Sequence, residues 1–377
     1  MNLTKYVLLP SICLFSANCI AEIRINGFGS IYAGQTLDSN DTFIGYENEL
    51  NFENDSLFAV QVTADVSEGL SATAQIISRG SNDWDAEFEW AYISYDVSEN
   101  LNLKAGRLRF PNYYYSEFID VGYAYHWIKP PNDVYASELT NFDGMSALYN
   151  MYTGDFGHSF LVAYGSRDDF TQVPGNRGDF KDMFAFNYDI TYESYSAKFI
   201  YLTGELNFGN AQVDALADAF AAISDQYVYD HVTLVEDDTS YLGFALNADW
   251  GDFFAIGEYA LLDFEREYMH AHDETRLMIS GGYRFDEFTL HYTYSSNETD
   301  DPEKVLSDIP PINLYDPLRL TAAGVLIASR GESVTHTFGI RYDFHSSAAA
   351  KVEYIMNEDD LALTEADVIR FGVDFVF

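Results

Sequence analysis

The sequence predicts an all-β fold, a transmembrane antiparallel β-barrel of sixteen strands. Three observations carry this. The final segment, DVIRFGVDFVF (367–377), puts Ile369, Phe371, Val373, Phe375 and Phe377 on one face of an extended strand. Alternate side chains of a strand point to opposite faces, so one face is wholly apolar and needs an apolar partner, which lipid supplies. Next, beyond residue 21 no apolar run approaches the ~20 residues of a membrane-spanning helix, and strands that cross lipid must close into a barrel. Last, the hairpin signal DVSEGL (65–70) returns as DVSENL (96–101), each flanked by alternating segments.

In chain order, Lys5, an apolar stretch from Tyr6 to Phe15 and SANCIA (16–21) read as a signal peptide, residues 1–21, cleaved after Ala21. Residues 22–377 then form the barrel. EIRINGFGSIYAG (22–34) is the opening strand. SLFAVQVTADV (56–66) sets Phe58, Val60, Val62, Ala64 and Val66 on one face, and LNLKAG (101–106) sets Leu101, Leu103 and Ala105 opposite Asn102 and Lys104. Gly69 and Asn100 stand where short turns call for positive φ. The same unit recurs. MSALYNMY (145–152) turns through TGDFG into HSFLVAY, and MFAFNYDITY (183–192) turns at Glu193–Ser194 into YSAKFIYL. SYLGFALNADW (240–250) turns at Gly251–Asp252, RLMISGGYRF (276–285) at Asp286–Glu287, and VTHTFGIRYDF (334–344) at His345–Ser347. Residues 367–377 close the set.

Seven short turns then lie at one end of the barrel and eight longer segments at the other, the asymmetry of a barrel in an outer membrane. An even count brings both termini to the same rim, and sixteen strands leave an aqueous lumen. The long segments fall at 35–55, 80–87, 107–144, 165–181, 203–239, 266–275, 296–333 and 357–366. Loops of such length tend to be functional. Within the fifth, AQVDALADAFAAIS (211–224) spaces Val213, Leu216, Ala217, Phe220 and Ile223 at helical intervals, predicting a short helix packed on the rim.

With 20 Lys and Arg against 60 Asp and Glu, the formal charge of −40 disfavours nucleic acid as a partner. Acidity alone would suggest disorder, but 29 Tyr and 29 Phe exclude it. Cys13 and Cys19 both lie in the leader, so residues 22–377 hold no disulfide and no thiolate site. No GxSxG, P-loop, HExxH or EF-hand pattern is present, and no cofactor or enzymatic activity is indicated.

Positive charges are scarce, so their placement is informative. On these strand phases Arg24, Lys104, Lys198, Arg276, Arg284, Arg341, Lys351 and Arg370 face inward, since a charge facing lipid at mid-membrane costs ~2–4 kcal/mol. Arg341, Lys351, Arg370 and Arg24 fall on four neighbouring strands and form a basic patch, while Arg107 and Arg109 stand at the entry to the third loop. Glu117, Asp120, Asp133 and Glu138 of that loop supply opposing charge, and fixed charges across a constriction select ions. NDWDAEFEW (82–90) aligns Asp83, Asp85, Glu87 and Glu89, a row suited to Ca²⁺ or Mg²⁺ bridging lipopolysaccharide; a solvated strand extension is the plainer reading. Its phase conflicts with Ala91, Ile93, Tyr95 and Val97 facing lipid, which a bulge near residue 90 would reconcile. His270 and His272 have zinc-compatible i, i+2 spacing but no third histidine close by, so no metal is assigned.

Taken together, the chain resembles the Gram-negative general porins. The resemblance rests on the leader, GFGSIYAG (27–34), the DVSEGL and DVSENL turns, the segment KAGRLRFPNYYYSEFIDVGYAY (104–125) and the terminal Phe377. It implies an in-folded third extracellular loop and a homotrimer of water-filled channels in the outer membrane of a Gram-negative bacterium, passing ions and small hydrophilic solutes. It also implies that Phe377 is recognised by the barrel-assembly machinery. The tight acidic-aromatic-glycine turn usual in the third loop has no clean counterpart here. The alternatives are a substrate-specific porin guided by the aromatics at 113–115 and 123–127, a barrel hydrolase drawing on His270, His272 and Asp273, and an adhesin with no open pore.

Overall fold

The computed structural model describes residues 22–137, 139–171, 175–361 and 363–377. The leader expectation and Glu138 lie outside the described residues. The strands are β1 (Ile23–Thr36), β2 (Leu57–Ser67), β3 (Leu70–Arg79) and β4 (Ala86–Ser98). There follow β5 (Leu101–Arg109), β6 (Asn141–Thr153), β7 (Phe156–Arg167) and β8 (Arg177–Tyr192). The second half holds β9 (Tyr195–Gly209), β10 (Leu234–Asp249), β11 (Phe253–Asp263) and β12 (Glu274–Phe285). The ring ends with β13 (Phe288–Thr299), β14 (Glu332–His345), β15 (Ala348–Asp359) and β16 (Thr364–Val376). Each pairs antiparallel with its sequence neighbours, and β1 closes on β16 with Ser30 opposite Asp374. The sixteen-stranded antiparallel barrel expected from the alternation is therefore the observed fold.

Strand phase follows the contrast between lipid and water. Phe58, Val62 and Val66 of β2 are exposed on the outside, as are Ile93, Tyr95 and Val97 of β4. The phase conflict in β4 is resolved by a bulge: Gln75 faces Trp90 while Ile76 faces Phe88, leaving Glu89 as the extra residue. Glu89 is thereby turned inward and buried while Phe88 stays exposed outside. The two near-repeat turns share one pairing register, with Ser67 opposite Leu70 and Ser98 opposite Leu101. Gly69 takes the positive φ of 73° that its turn requires. Asn100 does not have positive φ; its side-chain amide instead donates to the Asn150 carbonyl at 2.7 Å, tying the turn to the neighbouring strand β6.

Three strands run further than the alternation indicates. β8 begins at Arg177, β9 extends to Gly209 and β10 begins at Leu234, because Phe180, Leu202 and Leu206 still find apolar partners inside the barrel. The segment between β5 and β6 contains one helical turn, α1 (Asn132–Tyr135). On the loop side stand α2 (Ala211–Phe220), α3 (Asp225–His231), α4 (Glu303–Ser307) and α5 (Asp316–Ser329). The helix expected over 211–224 ends at Phe220, and Ser224 instead caps the next one, accepting from the Tyr227 amide at 3.0 Å. Phe220, Tyr227, Met269, Val305, Ala322 and Leu326 bury one another between these helices and form a small second core.

Candidate functional site

The segment after β5 carries the largest aromatic load and lies against the inner wall. Its backbone and side chains find partners strand by strand. The Pro111 carbonyl accepts from Asn187 of β8 at 3.0 Å, and the Tyr114 amide donates to Glu258 of β11 at 2.8 Å. Tyr135 donates its hydroxyl to the other oxygen of Glu258. Trp127 donates to Thr293 of β13 at 2.8 Å, and His126 bonds Ser280 of β12 at 3.0 Å. Asp133 accepts from Ser295 at 2.6 Å and from Ser333 at 2.9 Å. Tyr123 donates to the Ser346 carbonyl at 3.0 Å, so the segment reaches the short-turn end of the barrel. Tyr113, Tyr125 and Trp127 are buried against this wall. They are packing anchors, which removes them as an open aromatic track for a solute.

The inward cations of β14 to β16 are neighbours as expected, with Arg341 opposite Lys351 and Glu353 opposite Arg370. They differ from the expected basic patch in being paired and spent on the loop segment. Lys351 pairs with Asp374 at 2.7 Å and donates to the carbonyls of Gly122 (2.7 Å) and Trp127 (2.5 Å). Arg370 lies between Asp55 (3.0 Å) and Glu353 (2.6 Å). Arg341 pairs with Asp343 at 2.7 Å and donates to the carbonyls of Tyr123 and Tyr125 at 2.8 and 2.7 Å. The reason is desolvation: a charge removed from water persists only if paired. Arg24 is not part of this group; at the start of β1 it pairs with Asp65 at 2.9 Å.

The acidic groups of the loop meet a different wall. Asp120 bonds Arg79 at 3.0 Å and also Arg109, and both arginines reach Glu89 at 2.8 Å. This buried quartet involves Arg79, to which the sequence assigned no role, and turns Glu89 from the expected carboxylate row to an inward ion pair. Arg107 pairs with Asp143 at 2.9 Å. Asp83 and Asp85 are exposed, and Glu87 is engaged by Arg79 at 2.6 Å, so the carboxylate row is divided. His272 bonds Ser329 at 2.8 Å, and burial pushes His270 and His272 down to about 4. Asp273 accepts from the Phe264 amide at 2.8 Å and is not bonded to either histidine among the described residues. Among the described residues no group of three or more His, Asp or Glu is placed to hold a metal ion.

No family model matches the chain, and no curated protein matches it. Solved structures do. OmpF of Salmonella typhi, in complex with daunomycin, superposes with a TM-score of 0.61 at 12% identity over 95% of this chain and 98% of that one. The outer membrane channel DcaP of Acinetobacter baumannii gives 0.59 at 12% identity over 95% and 97%. The trimer form of OmpT, an outer membrane protein of Vibrio cholerae, gives 0.55 at 12% identity over 95% and 99%. The fold is that of the outer-membrane porins.

Within this porin fold, the loop segment leaves a cavity of about 270 Å³ against β2 and β4 to β7. Gln61, Trp90, Tyr92, Lys104, Ser146 and Glu117 line it. The Lys104 ammonium lies 5.2 Å above the Tyr92 ring. Nearby, Lys198 approaches Asp189 loosely at 3.7 Å. These polar and charged side chains, rather than the paired wall of β14 to β16, keep charge at the unfilled side of the lumen.

Proposed function

We propose that this protein is an outer-membrane porin: a narrow water-filled channel, assembled as a homotrimer, through which ions and small hydrophilic solutes diffuse passively. The observation that carries the reading is the asymmetry of the lumen. The segment after β5 is packed against β8 and β11 to β16, while the opposite side keeps a cavity lined by Lys104, Glu117 and Gln61. Water and ions follow polar, charged walls, and fixed charge at a narrow point sets selectivity. The closed sixteen-stranded barrel with an apolar exterior supports residence in an outer membrane. The trimeric form of the Vibrio cholerae OmpT structure supports the homotrimer. In this reading residues 1–21 direct export, Phe377 is the signal read during barrel assembly, and no reaction is catalysed.

A second reading has its own support. The burial of Tyr113, Tyr125, Trp127 and Tyr135 against the wall is dense enough to suit a barrel that is closed at rest. Single-channel recording of the refolded chain in a planar bilayer under a KCl gradient separates the two. Stable steps in groups of three, with a reversal potential of definite sign, are expected. A heat-modifiable barrel that passes no current would leave the closed barrel standing instead.

A further inference from the structure

Lys104 and Glu117 share a property: among the described residues neither has an ion-pair partner or a side-chain hydrogen bond, whereas buried carboxylates without a cation, such as Glu258 and Asp133, are held by amide and hydroxyl donors. The inward cations Arg24, Lys198, Arg276, Arg284, Arg341, Lys351 and Arg370 each have a carboxylate within ion-pair distance. Lys104 has none among the described residues; its ammonium faces the Tyr92 ring instead. Glu117 likewise has no cation within that distance among the described residues, and it is exposed. Both line the same cavity of about 270 Å³, and they do not neutralise each other. A positive and a negative group held apart across one small cavity complement a solute that carries both charges itself.

The walls between them define the body of that solute. Trp90 and Tyr92 lie edge to face with ring centroids 6.5 Å apart, and Phe142 and Leu108 complete an apolar surface. The Trp90 indole N–H is already committed to Gln61 Oε1 at 3.1 Å, and the Arg109 guanidinium over its ring is held by Glu89 at 2.8 Å. The indole N–H is thus not free as a polar contact, and the rings offer faces and edges for stacking. The volume is slightly below the ~300–1,000 Å³ of common ligand sites, which limits the occupant to a small molecule.

We propose that this cavity is a solute subsite for a small zwitterion with a flat apolar side chain, of the aromatic α-amino acid class. Its carboxylate sits on Lys104, its ammonium on Glu117 and its ring against Trp90 and Tyr92. The subsite rests on the porin reading, since it lies along the proposed conduction path. It gives the channel a preference that the net charge of −40 does not forecast.

The test uses the refolded full chain in a planar bilayer with L-phenylalanine, phenylacetate and phenethylamine as probes. L-Phenylalanine is expected to interrupt the open-channel current with residence times at least tenfold longer than either singly charged analogue. K104Q and E117Q are each expected to shorten those interruptions at least tenfold. An open channel that L-phenylalanine leaves uninterrupted overturns the subsite while the porin reading survives. Equal interruption by phenylacetate overturns the role of Glu117 and with it the zwitterion. A barrel that conducts under no condition overturns the porin reading and the subsite together.

Discussion

Lys351 is a cation at 1% exposure inside a membrane barrel, held by one carboxylate and two backbone carbonyls. Asp374, 2.7 Å away, also accepts from Ser30 at 2.6 Å and Tyr32 at 2.5 Å, so one carboxylate joins β15, β16 and β1. Gly122 is small for the same reason: a Cβ there would come within 2.2 Å of Asp374 Oδ1. Replacing Lys351 by Met leaves Asp374 buried without its countercharge, and breaking one half of such a pair costs ~3–5 kcal/mol. The expected outcome is a lower unfolding temperature in the heat-modifiability assay. The double variant K351M/D374N is expected to recover much of the loss, because no lone charge remains buried. Equal losses in the single and double variants would mean that the hydrogen bonds to Gly122 and Trp127, not the charge pair, hold the segment.

The helices on the loop side form an element whose stability depends on neutral histidines. His270 and His272 are pushed down to about 4, by burial first, with Arg330 and His270 adding to the effect at His272 and Asp301 opposing it. An unfolded histidine titrates near ~6.5. Between pH 6.5 and about 4 the unfolded segment therefore binds protons that the packed one excludes, and stability falls as pH falls through that window. Above pH ~6.5 both forms are neutral and stability is flat. Hydrogen exchange of residues 303–329 should accelerate between pH 7.5 and 4.5, after correction for the intrinsic rate, while the strands stay protected. Unchanged protection would mean that the histidines are reached by water in the folded cap. Part of this element was readable in advance, through the apolar spacing of α2; the structure adds its cap, Asn210, which accepts from the Gln212 and Val213 amides at 2.9 and 3.0 Å. α5 was not, because DPLRLTAAGVLIAS is apolar nearly all round and shows no single stripe until its partners are known.

At the scale of the whole molecule, what could be read was whatever the lipid boundary dictates. Outward positions such as Ile93 and Phe371 must be apolar, so strand phase, turn positions and even the bulge at Glu89 leave a mark in a single sequence. The interior leaves no such mark. Arg370 meets Asp55 from 315 positions away and Lys351 meets Gly122 from 229, and nothing local announces either contact. The pairing of Lys351 and Arg370 with carboxylates was hidden for the same reason.

Closure of the ring is a third matter, since it joins the first strand to the last and depends on one small residue. Gly27 and Phe377 exchange two backbone hydrogen bonds, each 2.9 Å. The Phe377 ring lies directly over Gly27, where a Cβ would come within 2.2 Å of Cζ, and it stacks on Phe58 at 5.8 Å. An aromatic covering a strand glycine in this way protects the seam's hydrogen bonds. Gly27→Val forces the ring away and opens the seam, whereas Phe377→Ala removes the stacking but leaves both backbone bonds in place. Refolding into detergent should therefore yield less heat-modifiable barrel for G27V than for F377A. If F377A refolds as poorly as G27V, the ring itself and not the space beneath it decides closure.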